Sequence, residues 1–286
     1  MTPASRLAVR KTYKLYIGGA FVRSESGRVH HPAATGPVLA VATASRKDAR
    51  EAVRAARAAQ AGWWGRSAYN RGQILYRVAE VMEARTAELA DAMTATRPLG
   101  SREARAEVEL AIERTIHFAG WTDKLAAVLG ATNPVAAPYF SFTTPEPVGV
   151  VALFAPDEPC LLGLVTHLAA VLASGNTVVA VASDPHPHAS LDLAEILATS
   201  DVPAGVVNIL SGARTELAPV LCAHADVDAI VDAAGLAVAD ERAAAGNITR
   251  YRRVPVSDYA DAAETTGLDP LVRTTELKTA WHPIGL

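Results

Sequence analysis

The chain has 286 residues, half of them hydrophobic, enough to bury a substantial core in one or two domains. Its 27 Lys and Arg stand against 30 Asp and Glu for a net charge of −3. No basic stripe breaks that balance, so nucleic-acid binding has no electrostatic support. The longest apolar runs, such as Val148 to Pro156, are too short to cross a bilayer. Met1 to Lys11 carries charge with no apolar stretch behind it, which argues against a secretory signal. Cys160 and Cys222 lie far apart and read as two reduced thiols in a cytoplasmic protein.

In chain order, Lys14 to Arg23 alternate around Gly18-Gly19 as a β-hairpin does, with Tyr13, Leu15 and Ile17 on one face. Ser45 stands before an Ala-rich stretch from Arg46 and is placed to cap a helix that ends at Trp63-Trp64. The spacing of Ile74, Leu75, Val78, Val81 and Met82 predicts a second helix over about 71–93. Val108, Ala111, Ile112, Thr115 and Ile116 predict a third over about 102–128. Pro134, Pro138 and Pro145 then bracket Tyr139 to Thr144, whose aromatic and β-branched residues point to an exposed or edge strand.

From Val148 the pattern alternates strand and helix. Strands are expected near 148–154, 177–182, 206–210 and 227–231, with helices near 161–174, 189–199 and 215–223. Repeated βα units imply a parallel, doubly wound sheet covered by helices on both faces, and the strand runs are apolar on both faces as that requires. Val238 to Ala245 reads as helix, Tyr251 to Val256 as strand, and Leu271 to Trp281 as a further strand. The fold class is α/β, with a helical layer ahead of the sheet.

Several segments resemble, in order, the aldehyde dehydrogenase superfamily. These are Tyr16-Ile17-Gly18-Gly19 with its hairpin, Trp63 to Gln73, Pro147 to Val151, Ala173 to Val179, Val202 to Gly212 and His224 to Ile230. The resemblance covers roughly residues 13–232. Leu277-Lys278-Thr279-Ala280-Trp281 resembles the family's C-terminal strand, which pairs with a neighbouring subunit. Only a few dozen residues lie between Asp232 and that strand, where ordinary members carry a catalytic domain. In this respect the chain is most like the degenerate second region of the family's two-part subfamily sixteen. The organisation this implies is a Rossmann-like dehydrogenase domain from residues 1–130 and 147–260, a β-strand oligomerisation arm from 131–146 and 261–286, and no catalytic domain.

Family membership implies a cysteine thiolate that attacks an aldehyde, an Asn and a backbone N–H that hold the oxyanion, a Glu base and a bound NAD or NADP. At the matching positions the polar groups are gone. Glu158, in Pro156-Asp157-Glu158-Pro159, stands where the oxyanion Asn belongs and reads as a solvated loop carboxylate rather than a new acid or base. Val181 replaces the Lys that would meet the adenosine ribose. Asp184 replaces the nearby Glu; as a vestigial cofactor residue it would accept from a ribose hydroxyl, and otherwise it is a turn residue before Pro185. Asp232-Ala233-Ala234-Gly235 replaces the hydroxyl-bearing phosphate turn, and Asp232 would repel a pyrophosphate that a helix N-terminus attracts.

Cys160 sits at a helix start but among apolar neighbours, and Cys222 on a helix face beside Leu221; both read as buried, inert thiols. His186-Pro187-His188 and His30-His31 read as surface loops, since a lone His-x-His is weak evidence for a metal. No catalytic residue, metal or resident cofactor is expected, although NAD or NADP is what the resemblance would supply. The expected role is that of a non-catalytic subunit, self-associating or joined to a full-length aldehyde dehydrogenase, with no nucleic acid and no membrane as partner. The alternatives are an NAD(P)-dependent aldehyde oxidoreductase completed by a partner chain, and a nucleotide-binding sensor.

Overall fold

The computed structural model describes residues 11–32, 39–256 and 258–284. Met1 to Arg10, most of the segment read above for a leader, lie outside them. The described chain opens with β1 (Thr12–Tyr13), β2 (Leu15–Ile17), β3 (Ala20–Val22), β4 (Val29–His30) and β5 (Ala40–Ala42). Gly18 and Gly19, at φ of 62° and 81°, supply the left-handed pair that a tight hairpin between β2 and β3 needs. A Cβ on Gly19 would also stand 2.7 Å from Cβ of Ala204. Tyr13 and Leu15 are buried as the alternation predicts, but so is Tyr16 on the opposite face. The reason is that β2 is a member of the main sheet and is covered on both sides.

The helical layer is α1 (Arg46–Trp64), α2 (Ala68–Ala84), α3 (Thr86–Thr96), α4 (Ser101–Ala119) and α5 (Leu125–Leu129). Ser45 caps α1 as expected. Its hydroxyl accepts from the N–H of Lys47 and Asp48 at 3.2 Å, while the Asp48 carboxylate accepts from the Ser45 N–H at 2.8 Å. This is a reciprocal capping box.

The single helix expected over 71–93 is two. The backbone leaves helical geometry at Arg85 (φ −111°, ψ 15°), where the Thr86 hydroxyl takes the Met82 carbonyl at 3.2 Å and competes with the ladder. The helix expected over 102–128 stops at Ala119. Gly120 has poor helix propensity, and the Thr122 hydroxyl takes the Ala119 carbonyl at 3.0 Å.

The remaining elements are β6 (Ala131–Asn133), β7 (Tyr139–Pro147), β8 (Val150–Phe154), α6 (Cys160–Ala173), β9 (Thr177–Val181), α7 (His188–Ala198), β10 (Val207–Leu210), α8 (Arg214–Cys222), β11 (Ala229–Asp232), α9 (Val238–Ala245), β12 (Arg250–Arg253), α10 (Ala262–Thr265), α11 (Asp269–Val272) and β13 (Thr275–Pro283). The main sheet has seven strands in the order β12-β11-β8-β9-β10-β2-β3. β8 to β12 run parallel, and β2 joins β10 antiparallel. The fold is thus the doubly wound, Rossmann-like α/β sheet expected. Its strands alternate between two cores: Val151 and Leu153 pack toward α2, α4, α6 and α7, whereas Val150, Ala152 and Phe154 pack toward α1 and α8. Every residue of α6 is buried.

A second, three-stranded antiparallel sheet has the order β13-β7-β6. The strand expected to be exposed or at an edge, Tyr139 to Thr144, is therefore in the middle, although Tyr139, Phe140 and Thr144 are exposed. The flanking prolines mislead because β6 reaches only Ser141 to Thr143. Pro145 lies beyond it, where β7 has one neighbour and a missing N–H is tolerated. The tail strand begins at Thr275, not Leu271, and α10 and α11 precede it. Residues 261–274, expected in the arm, pack back on the helices. Leu271 is fully buried in the core with Tyr259. Tyr259 donates to, or accepts from, His167 Nε2 at 2.9 Å, and its carbonyl accepts from Arg114 at 3.3 Å.

Candidate functional site

The chain leaves β8 toward β9 and β10 on one side, then returns to build β11 and β12 on the other. In an open parallel sheet the crevice at such a reversal, outside the carboxyl ends of the strands, is where ligands bind. Here three segments meet: the loop after β8 (156–159), the loop after β9 (182–187) and the turn after β11 (232–236).

Asp232 ends β11 and is fully buried. Its Oδ1 accepts from the main-chain N–H of Ala234, Gly235 and Leu236 at 3.1, 2.8 and 3.1 Å. Its Oδ2 accepts from Leu236 N–H at 3.0 Å, the Tyr251 hydroxyl at 2.7 Å and Arg253 Nε at 3.3 Å. The sequence suggested a carboxylate that would repel a phosphate. The structure goes further, because the side chain itself occupies the N–H groups that an anion would need. The Ala233 N–H is spent on the Phe154 carbonyl at 3.1 Å, which extends the β8–β11 ladder by one rung.

Glu158 is not simply a solvated loop carboxylate. Half of its side chain is exposed, but it receives the Arg97 guanidinium on both oxygens, with Nε at 3.1 Å from Oε1. His186 Nε2 lies 3.2 Å from the same Oε1. Arg97 is buried and also donates to Glu107 Oε2 at 2.8 Å, while Glu107 Oε1 accepts from the N–H of Leu161 and Leu162 at 2.9 and 3.3 Å. Glu107 thus caps α6 from another helix. One guanidinium is shared between two carboxylates, Glu107 and Glu158, and an ionised carboxylate is an acceptor only, unlike the amide of an Asn.

The neighbouring Asp157 accepts from Arg214 Nη2 at 2.7 Å, and from the Ser183 hydroxyl and Asp184 N–H at 3.3 Å. Arg214 also donates to the Ala155 carbonyl at 2.7 Å. Asp184 is exposed and sits in a turn in which the Ser183 hydroxyl accepts from His186 N–H at 3.1 Å. Val181 is fully buried and presents no donor. Cys160 is buried, and burial followed by the nearby Glu107 pushes its thiol up. Burial, then Asp240, pushes the Cys222 thiol up to about 12. Neither is a thiolate at neutral pH.

The histidine pairs are not surface loops throughout. His188 is buried against the Tyr13 ring, centroids 5.0 Å apart, and desolvation followed by His186 and His30 lowers it to about 4. His30 Nδ1 lies 2.8 Å from the Thr43 hydroxyl, while His31 is exposed. Among the described residues no group of three His, Cys, Asp or Glu could hold a metal.

Sequence reading missed Arg97, Glu107 and Arg214. No local pattern marks them, because their partners lie in other elements. Around this crevice the N–H groups of the turn after β11 are occupied by Asp232, Val181 is buried and apolar, and Asp157, Glu158 and Asp184 contribute carboxylates.

The sequence model of the aldehyde dehydrogenase family matches residues 21–253. The cytosolic 10-formyltetrahydrofolate dehydrogenase of Mus musculus is 36% identical over 233 residues, 78% of this chain and 25% of the relative. Cytosolic aldehyde dehydrogenase 1 of Elephantulus edwardii is 30% identical over 276 residues, 91% of this chain and 54% of the relative. The NAD+ complex of an aldehyde dehydrogenase from Bacillus cereus superposes with a TM-score of 0.78 at 27% identity, over 84% of this chain and 50% of that one. Betaine aldehyde dehydrogenase from Staphylococcus aureus, in complex with NAD+, gives 0.78 at 25% identity, over 84% and 49%. The chain spans about half the length, or less, of the curated relatives it matches.

Proposed function

The chain belongs to the aldehyde dehydrogenase family, and from that premise we propose that it is a non-catalytic member that works by assembly, with itself or with an active aldehyde dehydrogenase. The observation that carries the first half is Asp232, whose carboxylate saturates the N–H groups of the turn after β11. Two further features support it. Both cysteines are buried with raised thiols. Tyr259 and Leu271 pack in the same core as α6, so residues after β12 cover part of that helix.

The observation that carries assembly is the β13-β7-β6 sheet. All of β13 after Thr275 is exposed, including Leu277 and Trp281, with Tyr139 and Phe140 beside it on β7. A strand with an open edge is a template for pairing with another chain. Residence in the cytoplasm belongs to the same reading, and no helix among the described residues is long and apolar enough to cross a membrane.

The test is titration calorimetry of the purified protein with NAD and NADP, an assay of aldehyde oxidation with each, and native mass determination. No binding heat, no turnover and a mass above that of one chain are expected. Aldehyde turnover by the isolated protein overturns the non-catalytic reading, and a strictly monomeric mass, with no dehydrogenase recovered alongside the chain from its host, overturns the assembly reading.

A further inference from the structure

We propose that the cleft between α1 and the carboxyl end of α8 binds a compact phosphomonoester, its phosphate on Arg46 and Arg50 and its apolar body against α8. The cleft shares no lining residue with the crevice after β8, β9 and β11, so the site stands or falls apart from the non-catalytic reading.

The cleft has a volume of about 560 Å³ and is lined by Arg46 and Arg50 of α1, by Pro219 and Val220 of α8, and by the turn 223–225. That is the size of a small-molecule pocket. Its polar side chains are Arg46, Arg50 and His224, all of them donors, and no carboxylate lines it. Arg46 and Arg50 stand four positions apart and share one face of the helix; both are exposed.

The other cations of α1 are paired. Lys47 meets Glu25 at 3.6 Å, Arg54 meets Glu51 at 3.0 Å and Arg57 meets Asp228 at 2.6 Å. Arg46 and Arg50 form no salt bridge with a described residue. The remaining carboxylates of α1, α8 and the turn after it are engaged. Asp48 accepts from Ser45 N–H at 2.8 Å, Glu216 takes Arg28 on its two oxygens at 2.7 and 3.1 Å, and Asp226 lies 3.9 Å from Arg57 Nε. Two guanidinium charges are thus left facing one cleft.

His224 supplies a third donor. Its Nδ1 accepts from Asp226 N–H at 3.1 Å, which leaves the ring proton on Nε2. The amino end of α1, at Arg46, adds the positive end of the helix dipole. The Ala223 carbonyl, at the end of α8, is already taken by Asn247 Nδ2 at 2.6 Å.

Three donor groups match the three terminal oxygens of a phosphomonoester, and its charge near neutral pH, about −1.5 to −2, balances two guanidinium groups. A carboxylate offers two oxygens and one charge. Pro219, Val220, Ala223 and Ala225 have no side-chain donor or acceptor, so they favour an apolar substituent on the phosphate over the free ion.

Titration calorimetry of the full chain with phenyl phosphate, inorganic phosphate and benzoate tests this. Phenyl phosphate is expected to bind most tightly of the three, and less tightly as salt is added. R46A and R50A are each expected to weaken it about tenfold or more, with thermal midpoints near that of the wild type because both side chains are exposed. R50K keeps the charge but loses the planar fork and is expected to fall between. R54A, outside the cleft, is expected to change nothing. Heat from NADP, which carries a phosphomonoester, that disappears in R46A/R50A belongs to this cleft and leaves the reading of the crevice intact. Absence of phenyl phosphate binding, equal affinity for inorganic phosphate, tighter binding of benzoate, or undiminished binding by R46A/R50A overturns the site.

Discussion

Asp232 and Tyr251 meet across the adjacent parallel strands β11 and β12, the phenol donating to Oδ2 at 2.7 Å. The carboxylate is fully buried and anchors the turn through Leu236. Replacing it by Ala strands several buried donors at once. D232A is expected to lose about 3–5 kcal/mol, the range for breaking a buried charged network, read as a lower denaturant midpoint. Y251F removes one charge-assisted bond and is expected to cost about 1.5–3 kcal/mol. A D232A midpoint equal to that of the wild type would show that the turn forms without its anchor.

The Glu107–Arg97–Glu158 chain separates a buried from an exposed carboxylate. E107Q weakens the partner of a buried guanidinium and the cap of α6, and is expected to cost about 3 kcal/mol, a fall of roughly 6–12 °C in Tm for a chain of this size. E158Q, whose carboxylate is half exposed, is expected to stay within about 1 kcal/mol of the wild type. Equal losses in thermal scans would show that the two carboxylates share the load.

E158N restores the amide that the family places after the first strand, and tests whether one residue separates this chain from catalysis. No aldehyde oxidation with NAD or NADP is expected from it, because Asp232 still fills the phosphate turn and both thiols remain buried. Turnover by this variant in a spectrophotometric assay would show that the crevice retains a working cofactor site.

How much of this was legible beforehand follows from where each interaction lies in the chain. The βα units from Val150 to Asp232 were readable because parallel strands buried on both faces appear as continuous apolar runs between turn residues. The helix break at Arg85 was not, since Val81, Met82, Leu89 and Met93 keep helical spacing straight through it and the diversion is made by one hydroxyl, Thr86 to Met82. The central place of β7 was hidden because its proline signals an edge, and only the short reach of β6 reconciles the two. At the site, the departures from the family pattern at Val181 and Glu158 were visible residue by residue. What fills the gap was not: Arg97 lies 61 positions from Glu158, and no local pattern joins such partners.

His167 sets an acid limit on stability. Burial, then Arg273, lowers it from 6.5 to about 3. Between these values the unfolded chain binds a proton that the folded chain refuses, so stability rises with pH across the window and is lost as pH falls from about 6.5 toward 3. The shift corresponds to roughly 4–5 kcal/mol. H167Q can still pair with the Tyr259 hydroxyl, and is expected to flatten the acid limb of a stability-versus-pH curve. An unchanged limb would assign the acid sensitivity to other groups.

Gly149 is fixed by both backbone and space. Its φ is 130°, and a Cβ there would stand 2.1 Å from Asp228 Oδ2. That oxygen is held in place by Val150 N–H at 2.7 Å and Arg57 Nη2 at 2.6 Å. G149A is expected to lose about 3 kcal/mol or more from strain and overpacking together, measured by chemical denaturation. A loss under about 1 kcal/mol would mean that the Asp228 contacts can give way.

One carboxamide ties the root of the second sheet to the first. Asn176 accepts the Gly149 N–H at 2.8 Å and donates to the Thr274 carbonyl at 2.9 Å and to the Ser174 hydroxyl at 2.9 Å. Thr274 immediately precedes β13 and its hydroxyl meets Ser174 at 3.0 Å. Any tug on β13 is therefore delivered to the amino ends of β8 and β9 rather than absorbed in a slack tether. A chain gripped by its arm would be steered as a rigid lever, its orientation dictated by whatever holds the strand.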